Sequence, residues 1–296
     1  MNDDLMLEHL EELNDVELFF EDSGAPNAPV IVFLHGGPGY NSYSFRDIVG
    51  ESLEQYRVIY LDQRGCGRSS EPAPEAMNYT IDALVNDLEA VREFLEIESW
   101  TPLGHGFGAL LALEYARRFP GQTDKVITVN PWIHYPELSQ VLLESAARMT
   151  EHTLTEIPEK PEDRIEKAFS MVNARDLLSR LHFPNPQSRL RLEFSDAESS
   201  LLAGGTMQEL LVFNGLWDFE YPNYLVDINK PILVIAGVQD VTSYPSQTDW
   251  LVDLAGADLI ELEAGHYPWL EELDAFANAI SGFMLPYDSK HRNLEV

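Results

Sequence analysis

The stretch of this chain that most restricts its fold is residues 103–109, Leu-Gly-His-Gly-Phe-Gly-Ala, between a strand-like run and a helix-like run. Its glycines have the spacing of the G-x-S-x-G turn, in which a strand turns sharply into a helix and lifts a serine hydroxyl above a sheet. Gly106 stands where that turn has its serine. The turn strains its central residue by about 1–3 kcal/mol when that residue carries a side chain, and glycine avoids most of this cost. The sequence therefore predicts a retained turn without its nucleophile.

Strand-like and helix-like runs alternate on both sides of this turn. Continuous apolar runs predict buried strands, an alternating run predicts an edge strand, and apolar residues at helical spacing predict helices. Buried strands are predicted at 30–34 and 58–61, further strands at 126–129, 232–236 and 259–262, the edge strand at 16–20, and the helices at 81–97, 109–116 and 273–283. This alternation predicts an α/β fold with a mostly parallel, doubly wound sheet.

The pattern changes between residues 131 and 229. Helical stretches such as 137–150 and 168–181 follow one another there, interrupted by prolines and without a convincing buried strand. We predict a helical cap at 131–229, inserted into a core formed by 1–130 and 230–296. A cap over the active edge of a sheet would exclude water and select the substrate.

The chain is strongly acidic, with 50 Asp and Glu against 19 Lys and Arg in 296 residues and a formal net charge of -31. Such a charge repels phosphate backbones and anionic lipids, so we expect no nucleic-acid or membrane partner. We interpret it as a solubility surface; attraction of cationic substrates is the alternative.

The beginning of the chain is acidic and unlike a signal peptide, and no apolar run approaches the roughly 20 residues of a spanning helix. These features predict a cytoplasmic protein, and a single cysteine agrees with a reducing compartment. We expect no cofactor and no metal; the oligomeric state is not indicated.

Two glycine-rich loops follow predicted buried strands. Residues 35–39 are His-Gly-Gly-Pro-Gly, and this loop would place bare backbone N–H groups over the edge where open α/β sheets bind ligands. In the second loop, 62–69, we expect Asp62 and Arg64 to pair and brace the turn. Cys66 in the same loop has no base near it in the sequence, which argues against a substitute nucleophile.

An acid and a histidine follow the last two predicted strands. Asp240 comes after the strand at 232–236, and His266 comes after the strand at 259–262. The histidine would take a proton from a nucleophile, and the acid would hold its tautomer and offset the imidazolium charge. The order of nucleophile position, acid and histidine is one in which hydrolytic triads occur.

Together these motifs resemble those of α/β-hydrolases of the proline iminopeptidase family. The similarity covers the sheet domain, about two thirds of the chain, and lies in the loops at 35–39 and 62–69, the turn at 104–108, Asp240 and His266. The resemblance implies an α/β-hydrolase fold and release of an N-terminal residue, often proline, from small peptides, amides or arylamides through an acyl-enzyme.

The resemblance also implies roles for individual residues. Gly37 and Phe107 would donate oxyanion N–H groups, Asp240 would be the acid and His266 the base. His35 and Gly36 in the loop would bind the substrate. Glu209 in the cap would also bind it and would hold its amino group. Val241 follows Asp240 where the family often has a second glutamate, so an esterase or amidase stays open.

Three hypotheses explain Gly106. The first is a serine aminopeptidase scaffold inactivated, or nearly so, by a Ser-to-Gly change, and it is favoured because the other site residues are present. The second is a natural pseudoenzyme that binds without reacting. The third is direct activation of water by His266, since removal of a triad member leaves roughly 10³–10⁴-fold catalysis over water. A dehalogenase or epoxide hydrolase is disfavoured, because Gly106 supplies no carboxylate nucleophile.

Overall fold

The computed structural model describes residues 6–24, 26–201 and 204–285. Eight strands form a single sheet. They are β1 Leu7–Leu13, β2 Val16–Ser23, β3 Val30–Leu34, β4 Arg57–Leu61, β5 Thr101–His105, β6 Val126–Val129, β7 Ile232–Gly237 and β8 Asp258–Leu262.

The sheet order is β1-β2-β4-β3-β5-β6-β7-β8. Strands β3 to β8 pair in parallel, whereas β1 with β2 and β2 with β4 are antiparallel. This confirms the predicted α/β class with a mostly parallel sheet. The predicted edge strand at 16–20 lies inside β2, and the edge is formed by β1. Strand β1 was not predicted, because none of its seven residues is buried and four of them are charged residues or histidine.

Helices cover both faces of the sheet. Those outside the cap are α1 Tyr43–Val49, α2 Ile81–Phe94, α3 Phe107–Arg118, α9 Ser246–Ala255, α10 Pro268–Glu271 and α11 Leu273–Met284, with short 3₁₀ helices at Gly50–Leu53 and Ala76–Asn78. The central helix α3 is buried over ten consecutive residues, as expected for a helix that is apolar on all sides. None of the helices within the described ranges is long and apolar enough to cross a bilayer.

The segment between β6 and β7 is helical. It contains α4 Tyr135–Met149, α5 Pro161–Met171, α6 Ala174–His182, α7 Pro186–Ser199 and α8 Gly205–Phe213, followed by 3₁₀ helices at Leu216–Asp218 and Pro222–Asp227. The single helix predicted at 168–181 is wrong, since two helices meet there. The chain is extended at Val172, and the side chain of Asn173 caps α6 by accepting a hydrogen bond from the backbone N–H of Arg175. The domain boundaries at 131 and 229 stay a prediction.

The predicted pairing of Asp62 with Arg64 is also wrong. Arg64 forms a two-pronged ion pair with Asp87 on α2, with N–O distances of 2.5 and 2.6 Å. Asp62 instead accepts a 2.8 Å hydrogen bond from Nε of Arg68 and another from the hydroxyl of Ser42. Arg64 is therefore bound to α2, whereas Asp62 is bound within its own loop and to Ser42, so the loop is held at two points.

Cys66 is 1% exposed and contacts Sδ of Met207 at 3.1 Å. Burial raises the pKa of its thiol, so the reactive thiolate is disfavoured. The position of this cysteine agrees with the interpretation that it is not a substitute nucleophile.

Candidate active site

The turn at the end of β5 has the geometry that its glycines indicate. Gly106 has φ 54° and ψ −114°, and α3 begins at the next residue. A Cβ atom on Gly104 would lie only 2.1 Å from the carbonyl oxygen of Gly108, so the strand and the helix approach too closely for any side chain there. The positive φ at Gly106 strains residues that carry a side chain. The chain thus keeps a turn built to display residue 106.

The direction of a side chain at position 106 follows from the backbone. A Cβ atom on Gly106 would lie 3.3 Å from Nε2 and 3.6 Å from Cε1 of His266, and 4.0 Å from Cα of Gly36. A serine at this position would therefore carry its hydroxyl beside the imidazole edge of His266 and the glycine-rich loop. These three elements come from β5, β8 and β3, and only the fold brings them together.

His266 and Asp240 form a buried pair after two neighbouring parallel strands, β8 and β7. Nδ1 of His266 lies 2.7 Å from Oδ2 of Asp240. The other carboxylate oxygen accepts hydrogen bonds from the backbone N–H and the hydroxyl of Thr242, at 2.9 and 2.5 Å. With Nδ1 donating to the carboxylate, Nε2 carries the lone pair that faces position 106.

Burial lowers the pKa of His266 to about 3, because the charged imidazolium loses its hydration. The ring is therefore neutral near pH 7. Burial raises the pKa of Asp240 for the same reason. A neutral imidazole with a free Nε2 is the form that can accept a proton from a group at position 106.

Aromatic rings pack around His266. The ring of His182, at the end of cap helix α6, stacks on it with centroids 4.0 Å apart, and the indole of Trp132 stacks at 5.0 Å. The carbonyl oxygen of His182 also accepts a 3.0 Å hydrogen bond from the backbone N–H of His266. His182 was not predicted as a site residue, because it belongs to no motif and reaches the site only through the packing of the cap.

Asn130, directly after β6, joins the acid loop to the histidine loop. Its Nδ2 donates to the carbonyl oxygens of Gly265 and His266 at 3.0 and 2.9 Å, and its Oδ1 accepts from the backbone N–H of Gly237 at 2.8 Å. Asn130 is fully buried and has φ 42°, a conformation in which asparagine is enriched. An asparagine that ends a buried strand was the available signal, and the sequence analysis did not use it.

We expect Asn130→Ala to lower the free energy of unfolding by about 2–4 kcal/mol, because the buried carbonyl of Gly265 and N–H of Gly237 lose the partner that Asn130 provides. Urea denaturation of the purified variant measures this loss. Asn229→Ala is the matched control, since Asn229 is exposed and surface substitutions usually change stability by less than about 0.5 kcal/mol. An Asn130→Ala protein as stable as this control would show that the two loops are held by other contacts.

The predicted oxyanion donors lie at the same edge of the sheet. Phe107 is the first residue of α3, so its N–H has no carbonyl partner within the helix. This N–H lies at the N-terminus of the helix, where the helix dipole is positive. Gly37 lines the cavity beside His266. Their roles stay predictions.

Of the three residues expected to bind substrate, His35 and Glu209 do not line the cavity beside His266. His35 is fully buried, and its Nε2 accepts a hydrogen bond from the backbone N–H of Gln63 at 3.1 Å. Glu209 is exposed on α8, whereas its neighbour Gln208 lines the cavity. Gly36, the third, lies next to Gly106.

A cavity of about 410 Å³ lies between the loop after β3, the cap and His266. Two carboxylates of cap helix α7 line it, Glu193 and Asp196. Oδ1 of Asp196 accepts a hydrogen bond from the hydroxyl of Tyr40, and burial raises the pKa of this carboxyl group. The carboxylates that line the cavity therefore come from α7, and no sequence motif pointed to them.

Comparisons with known proteins agree with this architecture. The family model for the α/β hydrolase fold matches residues 29–273. The crystal structure of a proline iminopeptidase-related protein from Thermus thermophilus is 35% identical, covers 94% of this chain and 96% of that chain, and superposes with a TM-score of 0.86. A proline iminopeptidase of Neisseria meningitidis is 27% identical over 299 residues, which cover 90% of this chain and 93% of that protein. An enol-lactonase from Burkholderia xenovorans shares the fold, with a TM-score of 0.70 at 23% identity; the match covers 93% of this chain and 99% of that chain.

Proposed function

We propose that this chain, which belongs to the α/β-hydrolase family as a proline iminopeptidase-like member, carries the substrate site and acid–base pair of an aminopeptidase and lacks only the nucleophile. The reaction of such a site is release of an N-terminal residue, proline or a similar one, from a peptide, amide or arylamide. One distance is the main support for the proposal: a Cβ atom built on Gly106 would lie 3.3 Å from Nε2 of His266.

Each remaining group has a place in acyl transfer. A serine hydroxyl at position 106 would attack the substrate carbonyl while Nε2 of His266 takes its proton, and Asp240 would hold the ring and offset the charge. The N–H groups of Gly37 and Phe107 would stabilise the oxyanion. With glycine at position 106 no acyl-enzyme can form, so this protein cannot react by acyl transfer.

A carboxylate in the cavity supports a substrate with a free amino group. Asp196 is half-buried and lines the same cavity as His266, and a protonated amine gains most from a charge-assisted hydrogen bond in such a place. We assign the amine to Asp196 in place of Glu209, whose side chain is exposed; Glu193 is exposed as well, and its carboxylate pairs with Arg189 at 2.9 Å.

In a Gly106→Ser background we expect Asp196→Asn to raise KM for free-amine arylamides about 10- to 100-fold, because hydrogen bonds to charged groups contribute about 1.5–3 kcal/mol. Esters with a blocked amine should be unaffected by the same change. Steady-state kinetics on both substrate types measure the difference, and Glu209→Gln is the matched control. Equal losses on free and blocked amines would show that Asp196 supports the cap and does not bind the amine.

A binding module is the second candidate, and Gly106 itself favours it, because the pocket is retained without the reaction. Calorimetric titration of the chain as written with short proline-initiated peptides tests binding. Parallel rates of the chain and of Gly106→Ser on aminoacyl arylamides and aryl esters test hydrolysis. If Gly106→Ser hydrolyses arylamides, the aminopeptidase is supported. If it cleaves only esters, an esterase is supported. If both proteins bind peptide and neither hydrolyses any substrate, the binding module is supported.

A further inference from the structure

The edge of His266 that faces position 106 is free. Nδ1 is occupied by Asp240, whereas Nε2 has no hydrogen-bond partner within the described part of the chain. We propose that the chain as written hydrolyses activated esters slowly, by direct attack of a water molecule that His266 deprotonates, without an acyl-enzyme. This inference uses the site of the proposed function but replaces its nucleophile.

Glycine at position 106 makes room for that water. A Cβ atom there would lie 3.3 Å from Nε2 and 4.0 Å from Cα of Gly36, so a serine side chain would occupy the space in front of the imidazole edge. Without the side chain, a water in van der Waals contact with Cα of Gly106 comes within hydrogen-bonding range of Nε2. His266 also lines the 410 Å³ cavity, so the same space is open to a bound acyl group.

The ring of His266 is held in the form and orientation that can accept a proton. Its burial keeps the ring neutral near pH 7, and the stacked rings of His182 and Trp132 hold its orientation. The titratable groups that face it are Asp240, His105, His182 and Tyr267; burial lowers the pKa of both histidines and raises the pKa of the Tyr267 hydroxyl. Among the described residues, no neighbouring cation therefore competes with the imidazolium that forms during the reaction.

The reaction consumes one water for each ester. The water oxygen bonds to the carbonyl carbon while one of its protons passes to Nε2 of His266, and the carbonyl oxygen becomes an oxyanion at the N–H groups of Gly37 and Phe107. The intermediate then breaks its bond to the aryloxide, which takes the proton from Nε2 and leaves as a phenol. The acid product departs and His266 is neutral again. Amides are expected to react far more slowly, because an amine is a poorer leaving group than an aryloxide.

The experiment compares p-nitrophenyl ester hydrolysis by the chain as written, Gly106→Ala and His266→Gln, purified identically and shown to be folded by circular dichroism. His266→Gln should be slower by about 10²-fold or more, since general base catalysis contributes about 10²–10⁴-fold. Gly106→Ala should be slower by at least about tenfold, because its methyl group stands where the water approaches Nε2. Equal rates for all three proteins would overturn the inference.

Intact mass separates this route from acyl transfer. The chain as written should show no burst of nitrophenol and no acyl adduct, whereas Gly106→Ser should show both. If Gly106→Ser acylates but the chain as written is no faster than His266→Gln, this inference fails and the proposed function stands. If the chain as written needs His266 but Gly106→Ser never acylates, the proposed function fails and the water route stands. An adduct on the chain as written would contradict the water route directly.

Discussion

Gly106→Ser is expected to raise the hydrolysis of aminoacyl arylamides by about 10³-fold or more, since loss of the nucleophile from an otherwise intact triad costs up to about 10⁶-fold. The reason is geometric: the new Cβ atom would lie 3.3 Å from Nε2 of His266, which is already bound to Asp240 through Nδ1. Initial rates on a panel that includes proline arylamide measure the gain.

The same substitution should lower the free energy of unfolding by about 1–3 kcal/mol, because φ 54° at Gly106 strains a residue with a side chain. The imidazole of His266 must also move by a few tenths of an ångström to admit the Cβ atom. Gly106→Ala is the matched control, since it has the same strain and no hydroxyl. A Gly106→Ser protein that is as inactive as this control, or clearly more stable than the parent, would contradict the assignment of the turn.

Asp240→Asn, made in the Gly106→Ser background, is expected to lower kcat by about 10⁴-fold near neutral pH. The carboxylate accepts from Nδ1 of His266 at 2.7 Å and is held in place by Thr242. An amide that keeps these bonds to Thr242 presents its NH₂ group to the ring, which places the proton on Nε2 and removes the base. Steady-state kinetics on the best arylamide measure the loss.

Asp249→Asn is the control for this second substitution, because Asp249 is an exposed aspartate on α9 that undergoes the same chemical change. It should leave kcat unchanged. Loss of less than about tenfold in Asp240→Asn would mean that another group orients His266.

Much of the fold follows from local patterns. Continuous apolar runs predicted β3, β4 and β7, because a strand covered on both faces must be apolar along its length. Mostly apolar runs predicted β6 and the more exposed edge strand β8. The turn at 104–108 was predicted from its glycines, since only glycine tolerates the 2.1 Å approach of a Cβ atom on Gly104 to Gly108. Asp240 and His266 were predicted as a pair from their positions after two strands, because parallel strands bring their carboxyl ends to one edge.

Other features depend on contacts between distant parts of the chain. Strand β1 joins the sheet by antiparallel pairing with β2 and buries little of its own surface. Arg64 finds Asp87 on a helix 23 residues away, not the nearby Asp62. No local pattern encodes these partners.

The cap shows most clearly where local information ends. Hydrogen bonds of Ser195 to Asp47 and of Ser188 to Glu271 dock α7 on the core. This docking turns Asp196 into the cavity, while Glu209 on α8 stays exposed. Local patterns were therefore sufficient for the strands β2 to β8, the turn and the order of acid and base, because steric rules and burial act on neighbouring residues. Which cap residues line the cavity depends on long-range packing, because the rotation of a helix about its axis is set by what it packs against.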